Sequence, residues 1–413
     1  MSTPTKVPAT TPRFATIAAL SYRDFRFLWL GVIVFMAGLQ MQSVARGYLV
    51  YDITSSPVLL GLVNTGYALP MLVFTLFGGV LADRFPKKRI IQICQAIGGA
   101  TAIFVGISIS IGTVTWIHIL FSSLINGFIF AFIVPARTAI IPSLVANAHS
   151  SNAFALNAAA MSSTTLLAPA LAGNLYNIIG ADGVYFCIAG LELGAVIFTG
   201  LISANDTPSG KSNRRPIFAE IKTGFAYIRR NRLIIVLIVI SMVTSLLAMP
   251  FRSLLPIYIV DVFGRGPETL GLLVSVMGIG ALLGSFLVAS MGRRKRGLVL
   301  ILGGMISGAS MVVAGFVPII GVVSVTLFFL GAGDAFRRSL SMALIMESTD
   351  IEYQGRVSSV YAMNFGLMPL GTLPAGLVTE YFGVRAATGL LGFILLGICI
   401  FIVIKRKDLR RLP

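Results

Sequence analysis

Ionisable side chains inside long apolar stretches are the residues of this 413-residue chain that could do chemistry. They are Arg46, Glu192, Arg252, Asp334, Arg337 and Arg338. A charge at the centre of a membrane helix costs about 2.5–3.5 kcal/mol on insertion scales, so it seldom persists without a partner, water or a function. A carboxyl group buried there can bind and release a proton, because burial disfavours its ionised form. These positions are therefore candidates for proton transfer and ligand binding.

The two carboxylates have different surroundings in the sequence. Glu192 lies near the middle of an apolar stretch with no basic residue one helical turn away, which favours a role in proton coupling. A hydrogen bond to a neighbouring helix, or a small water pocket, is the alternative. Asp334 has Arg337 and Arg338 one turn further along, so it is either a second proton-coupling candidate or one member of an intrahelical ion pair.

The elements that must hold these residues are membrane-spanning helices. Only 11% of residues are charged, 56% are hydrophobic and 43 are glycines. Apolar runs of about 20 residues, the length that crosses roughly 30 Å of hydrocarbon, predict about twelve spans. Their bounds are 26–50, 58–81, 90–111, 116–136, 153–179, 183–203, 233–260, 269–291, 298–317, 320–343, 357–381 and 384–404. Backbone groups in lipid must pair within the segment, and the alternation of a β-barrel is absent from the sequence, so these are helices.

The net charge of +17 is explained by membrane topology and not by nucleic-acid binding. With a cytoplasmic N-terminus, 25 of the 32 Lys and Arg residues fall in cytoplasmic segments, and the outward loops hold only Arg265. This asymmetry predicts a multi-pass protein of the plasma (inner) membrane with both termini in the cytoplasm. The first residues lack the apolar core and cleavage site of a signal peptide, so the first span is expected to remain as an anchor.

Internal similarity divides the chain into two halves. The basic loop LADRFPKKR (81–89) has a degraded copy, MGRRKRG (291–297), and AGNLYNIIG (172–180) corresponds to AGLVTEYFG (375–383). Arg46 and Arg252 also occupy corresponding places in spans 1 and 7. We therefore expect an all-α membrane protein with two pseudo-symmetric six-helix bundles. The expected domains are residues 1–203, a cytoplasmic linker with an amphipathic helix at 204–232, and residues 233–413.

The loop after span 2 resembles the signature G-x-L-A-D-R-x-G-R-K of the major facilitator superfamily, with Pro86 in place of the usual Gly. The resemblance implies a conformational latch, in which the Asp83 carboxylate pairs with the positive N-terminal end of span 11. The alternative is a solvated turn whose charges only fix topology. The predicted latch residues are Gly79, Asp83, Arg84, Lys87, Lys88 and Arg356.

A closer resemblance covers most of the chain. YRDFRFLWLG (22–31), GYLVYDITSSPVLLGLV (47–63), PARTAIIPSLV (135–145), NAFALNAA (152–159) and GRVSSVYAMNFGLMPLG (355–371) resemble the enterobactin-exporter and macrolide-efflux branch, the transmembrane secretion effectors. Many members of that branch carry an Asp in span 1 where this chain reads Gly38-Leu39-Gln40, so a coupling role at that site does not transfer. In span 5, Pro169 and Gly173 resemble the Gly-Pro-x-x-Gly-Gly element of drug:proton antiporters, although Ala stands at two of its Gly positions.

The superfamily resemblance implies a substrate cavity lined by spans 1, 4, 7 and 10, to which span 11 contributes. Polar, basic and aromatic residues near the middles of these spans are the candidate cavity residues. They are Gln40, Gln42, Arg46, Asn126, Phe130, Phe251, Arg252 and Asn364. Most of the Met and Phe residues are expected to pack against lipid or neighbouring helices.

The predicted function is secondary active transport, with export of small amphiphilic compounds such as a drug, macrolide or siderophore by alternating access and proton antiport. Importing or facilitating the passage of a lipid-like or nutrient solute is one alternative, and a non-transporting receptor on the same scaffold is another. No Walker loop occurs, and the three Cys and two His are too few and scattered for a metal site or the usual acid–base catalysis. We expect a monomer without catalytic residues, metal or cofactor, whose partners are the lipid bilayer, a small substrate and the proton.

Overall fold

The structure, a computed structural model, describes residues 15–203, 217–291, 295–350, 353–406 and 409. Long helices dominate these ranges, and the described residues contain no strand. The helices are α1 (Arg23–Thr54), α2 (Pro57–Arg84), α3 (Lys87–Ser110), α4 (Trp116–Leu144), α5 (Ser150–Gly200), α6 (Ile217–Arg230), α7 (Arg232–Ile257), α8 (Pro267–Ser290), α9 (Arg296–Phe316), α10 (Ile320–Glu347), α11 (Gln354–Leu367) and α12 (Thr372–Lys405). The predicted all-helical fold class is therefore confirmed.

Polar residues between the apolar runs set where the helices begin. At the start of α2, Ser56 Oγ accepts a hydrogen bond from the backbone N–H of Leu59 at 3.3 Å, and Pro57 occupies the first turn. At the start of α7, the Asn231 side chain accepts from the N–H of Leu233 at 3.1 Å. These caps satisfy backbone donors that would otherwise be unpaired at the helix ends.

Ten of the described helices are long and apolar enough to cross a membrane, and two of these contain a break. Helix α5 has 51 residues and would be about 76 Å long if straight, more than twice the thickness of a bilayer core. The chain leaves helical geometry at Gly180 (φ 77°) in α5 and at Gly383 (φ 80°) in α12, conformations that favour glycine. These breaks fall between predicted spans 5 and 6 and between spans 11 and 12. The count of twelve spans stays a prediction.

The helices pack in two groups, with α1 to α5 on one side and α7 to α12 on the other. Within the first group α5 packs on α1 and α3, and within the second α9 packs on α10 and α12. Helix α6 lies in the predicted linker, and its Ile228 is buried. Residues 204–216 of that linker lie outside the described residues, and the proposed domain boundaries stay a prediction.

One close contact between the groups joins α5 to α8. A methyl group added at Gly173 would lie 2.3 Å from the backbone oxygen of Pro267, and one added at Gly271 would lie 2.3 Å from that of Pro169. The backbone N–H of Ala170 also donates to Ser275 Oγ at 3.2 Å. Pro169 and Gly173, the antiporter-like element of the sequence, therefore lie in this crossing, where only glycine lets the backbones approach so closely.

A matching contact joins α2 to α12. A methyl group added at Gly376 would lie 2.6 Å from the backbone oxygen of Pro57, and one added at Gly61 would lie 2.8 Å from that of Thr372. Pro57 and Gly61 have the same spacing as Pro267 and Gly271, and Gly376 corresponds to Gly173 in the repeated segment. The two crossings between the halves therefore share one pattern, in which a Pro-x-x-x-Gly segment at the start of one helix packs against a glycine of another.

Both crossings lie at the same end of the molecule, which we call the closed end. It also holds the α1–α2 and α7–α8 connections. There the Tyr51 hydroxyl at the end of α1 donates a hydrogen bond of 2.5 Å to Asp261 Oδ2, just after α7. The two groups of helices are therefore held together at this end by backbone contacts and by one hydrogen bond to a carboxylate.

Candidate substrate cavity

A cavity of about 520 Å³ lies between the two groups of helices. It begins near Gly47 and Pro256, close to the closed end, and its lining continues to Ser285, Arg338 and Ser339, which are exposed. Its volume is in the range of pockets that bind drug-sized molecules. The cavity therefore approaches the surface at the end opposite the closed end.

Several predicted substrate contacts line this cavity. They are Gln40, Gln42, Arg46, Phe130 and Arg252. An adjoining cavity of about 200 Å³ shares Tyr67, Phe130 and Arg252 with the larger one and extends to Asp334 and Arg337. The lining thus combines aromatic surface with amides and guanidinium groups.

Arg46, on α1, is held only loosely by its neighbours. Its Nη1 lies 3.4 Å from Ser123 Oγ and its Nη2 lies 3.4 Å from Asn64 Oδ1, both at the long limit of a hydrogen bond. Its guanidinium carbon lies 5.3 Å from the centre of the Tyr67 ring, within reach of a cation–π interaction. Among the described residues, its Nε has no hydrogen-bond partner. This guanidinium therefore retains capacity to bind a ligand.

Asp334 forms the intrahelical ion pair that the sequence allowed. Its two carboxylate oxygens accept hydrogen bonds from Arg337 and Arg338, three and four residues further along α10. Arg337 is buried, whereas the Arg338 side chain is 43% exposed and lines the larger cavity. The carboxylate of Asp334 is thus engaged by two guanidinium groups, and its role in proton coupling stays a prediction.

Three predicted cavity residues do not line the described cavities. The Asn126 amide donates to the backbone oxygen of Ser122 at 2.8 Å, and the Asn364 amide donates to Ser241 Oγ at 3.0 Å. Phe251 is fully buried and packs edge-on against Tyr258. The cause is helical phase, because adjacent residues on a helix point about 100° apart and only one of the pair 251–252 can face the cavity.

Glu192 is buried away from both cavities, in a cradle of glycines. A methyl group at Gly38 would lie 3.6 Å from Glu192 Oε1, and one at Gly98 would lie 3.3 Å from Oε2. Only 2% of the residue is exposed, and Oε2 has no hydrogen-bond partner among the described residues. Glycines on α1 and α3 therefore leave room for one carboxyl group inside the first group of helices.

A charged neighbour of Glu192 is Arg137 on α4, which lies one residue beyond the predicted span 116–136. Helix α4 continues to Leu144, and Arg137 is only 4% exposed. Its guanidinium carbon lies 4.7 Å from the centre of the Phe35 ring, and within the described ranges its Nε and Nη2 have no hydrogen-bond partner. The apolar spacing of Ile140, Ile141 and Leu144 was the signal that the helix extends beyond residue 136.

The predicted latch is only partly described. The surroundings of Gly79 and the side chains of Asp83 and Arg356 lie outside the described part of the chain, so the latch stays a prediction. Arg84 is exposed at the end of α2, and Lys87 is buried in the first turn of α3. Lys88 Nζ donates to the backbone oxygens of residues 200 and 202 at 2.9 and 2.5 Å, and so caps the end of α5.

Comparisons with known proteins agree with this arrangement. The profile of the transmembrane secretion effectors, a family of the major facilitator superfamily, matches residues 14–411. The chain is 25% identical to macrolide efflux protein A of Streptococcus pyogenes, over 94% of this chain and 98% of that protein. It is 22% identical to the staphyloferrin A transporter of Staphylococcus aureus, over 88% of this chain and 92% of that protein. A crystal structure of a variant of the nucleoside transporter NupG shares the fold, with a TM-score of 0.79, 14% identity, and coverage of 93% of this chain and 100% of that one.

Proposed function

Because the chain belongs to the transmembrane secretion effector family of major facilitator transporters and is a multi-pass membrane protein, we propose that it exports small amphiphilic compounds by alternating access. The observation that carries this proposal is the cavity of about 520 Å³ between two groups of helices, closed at one end and lined by exposed residues towards the other. A molecule that binds there would leave by the opposite end once the crossings at the closed end separate.

The topology proposed from the basic residues gives this movement a direction. In that topology the closed end faces outward, both termini are cytoplasmic, and the membrane is the plasma (inner) membrane. The structure would then correspond to a state that takes up its substrate from the cytoplasm or the inner leaflet. The two crossings, α5 with α8 and α2 with α12, would act as the outer gate.

We propose that protons drive export and that Glu192 is the coupling carboxyl group. It is buried, it has an unpartnered oxygen among the described residues, and its charged neighbour Arg137 lies on another helix. A group in this position exchanges one proton between a neutral and an ionised form, and each form interacts differently with Arg137. Protonation would thereby alter the packing of α4 and α5, which both contribute to the cavity wall.

Counterflow in proteoliposomes tests transport itself. Vesicles loaded with an unlabelled compound from a panel of dyes, siderophores and macrolides should accumulate the labelled form of at least one member, because only a carrier exchanges one for the other. Export predicts that an inward proton gradient lowers accumulation of the compound in cells that express the protein. Higher accumulation on expression would favour import, and absence of counterflow for every compound tested would favour a receptor.

A further inference from the structure

The larger cavity has an excess of positive charge that comes from three different helices. Arg46 on α1, Arg252 on α7 and Arg338 on α10 all line it, and no Asp or Glu is among its described lining residues. Asp334, at the edge of the smaller cavity, pairs with Arg337 and Arg338 and so balances only part of this charge. The cavity wall as described therefore carries a net positive charge.

Two of these guanidinium groups form no ion pair with a carboxylate in the described part of the chain, although Asp334 lies close enough to act electrostatically on Arg252. Within the described part of the chain, no carboxylate oxygen lies within 4.0 Å of the side-chain nitrogens of Arg46 or Arg252. Arginines in a membrane interior are costly unless they are paired or hydrated, so keeping two of them on one cavity needs a compensating anion or a function. A low-dielectric cleft with one sign of charge also concentrates ions of the opposite sign.

Aromatic residues lie beside the same arginines. Tyr67 and Phe130 line both cavities, and their ring centres are 6.2 Å apart. Arg46 lies over Tyr67, and Arg252 also lines both cavities. An anionic group at the arginines would thus have an apolar surface directly next to it.

On the basis of the proposed transport function, we propose that the substrates are amphiphilic anions, whose carboxylate, sulfonate or phosphate group binds between Arg46 and Arg252 while the apolar body packs on Tyr67 and Phe130. Guanidinium groups present paired N–H donors that match the oxygens of such groups. The same charges repel cationic amphiphiles, because an unpaired like charge in a low-dielectric site is unfavourable. Arg46 and Arg252 stand in corresponding spans of the two halves, so each half would contribute one arm of the anion site.

Two xanthene dyes of similar size test this substrate class directly. Fluorescein is anionic and rhodamine 6G is cationic, and binding of each to the full chain in nanodiscs is measured by fluorescence polarisation. We expect fluorescein to bind more tightly, and we expect Arg46→Gln and Arg252→Gln each to weaken its binding roughly tenfold or more, as loss of a charged hydrogen bond predicts. Neither substitution should weaken rhodamine 6G binding.

Three controls keep the result interpretable. Arg296→Gln removes one positive charge from α9, where Arg296 pairs with Glu347 outside the cavity, and should leave dye binding unchanged. Arg46→Lys and Arg252→Lys retain the charge and should keep the preference for fluorescein. The thermal transition of each variant in nanodiscs identifies the variants that fail to fold. If a Gln variant fails to fold, the dye preferences of the wild type and of the Lys variants decide whether the proposal stands.

Tighter binding of rhodamine 6G, equal binding of both dyes, or undiminished fluorescein binding by folded Arg46→Gln and Arg252→Gln would overturn the proposal. Counterflow of the same dyes separates this failure from failure of the proposed function. Exchange of rhodamine 6G without exchange of fluorescein would leave transport standing and remove the anion site. Fluorescein binding that depends on both arginines, without counterflow, would support the site and refute transport.

Discussion

Substituting Gly173 by Ala should open the closed end. The new methyl group would lie 2.3 Å from the Pro267 backbone oxygen, whereas ordinary van der Waals contact begins at 3.4 Å. Helices α5 and α8 would have to separate by about 1 Å at this crossing, because the obstacle is a backbone oxygen, which cannot rotate away as a side chain would.

The magnitude follows from the usual cost of overpacking. An added methylene in a tightly packed contact costs about 1–3 kcal/mol, and this cost falls only on the state in which the crossing is closed. The ratio of open to closed molecules should therefore rise roughly 5- to 150-fold. Gly190→Ala is the matched control, because the same change on the same helix meets no atom within 4 Å.

The assay is a distance measurement between spin labels at the closed end. Ile178 on α5 is 75% exposed, and Arg265 in the α7–α8 connection is also exposed, so both accept a label without disturbing the core. The distance distribution should shift to longer values in Gly173→Ala and stay unchanged in Gly190→Ala. Identical distributions in the two variants, with both folded, would refute the interpretation of this crossing as a gate.

Further substitutions test the other contacts. Tyr51→Phe removes the hydrogen bond to Asp261, which is worth about 1.5–3 kcal/mol for a bond to a charged group, and should therefore favour opening of the closed end. The test is the rate at which a reagent added outside the cell labels a cysteine introduced into the cavity, and an unchanged rate would contradict this prediction. Glu192→Gln should abolish the response of export to a proton gradient while counterflow continues; efflux that still follows the gradient would exclude Glu192 as the coupling group. Asp334→Asn leaves the buried Arg337 without its carboxylate and should destabilise the protein by about 3–5 kcal/mol, and an unaltered thermal transition would show that the pair contributes little.

Much of the fold followed from the sequence because lipid imposes simple rules on length and charge. The helical spans, the Asp334 ion pair and the ends of spans 5 and 11, next to the breaks at Gly180 and Gly383, all depend on neighbouring residues in the chain. The proximity of Glu192 to Arg137 did not follow, because these residues lie on helices far apart in sequence and Arg137 stands just beyond an apolar run. The sequence likewise could not show which of Phe251 and Arg252 faces the cavity, because both lie near the middle of span 7 and the rotation of that helix is set by its packing.

The glycine crossings explain how a transporter can close one end firmly and still open it. Backbone against backbone contact gives close packing without interlocking side chains, so the helices can part without rotamer changes once the hydrogen bond from Ala170 to Ser275 breaks. Because Gly173 with Pro267 and Gly376 with Pro57 repeat one pattern on both sides of the cavity, a single rocking movement would release both. The Tyr51 hydrogen bond to Asp261 adds a contact to a carboxylate, and its loss costs energy only when the end opens.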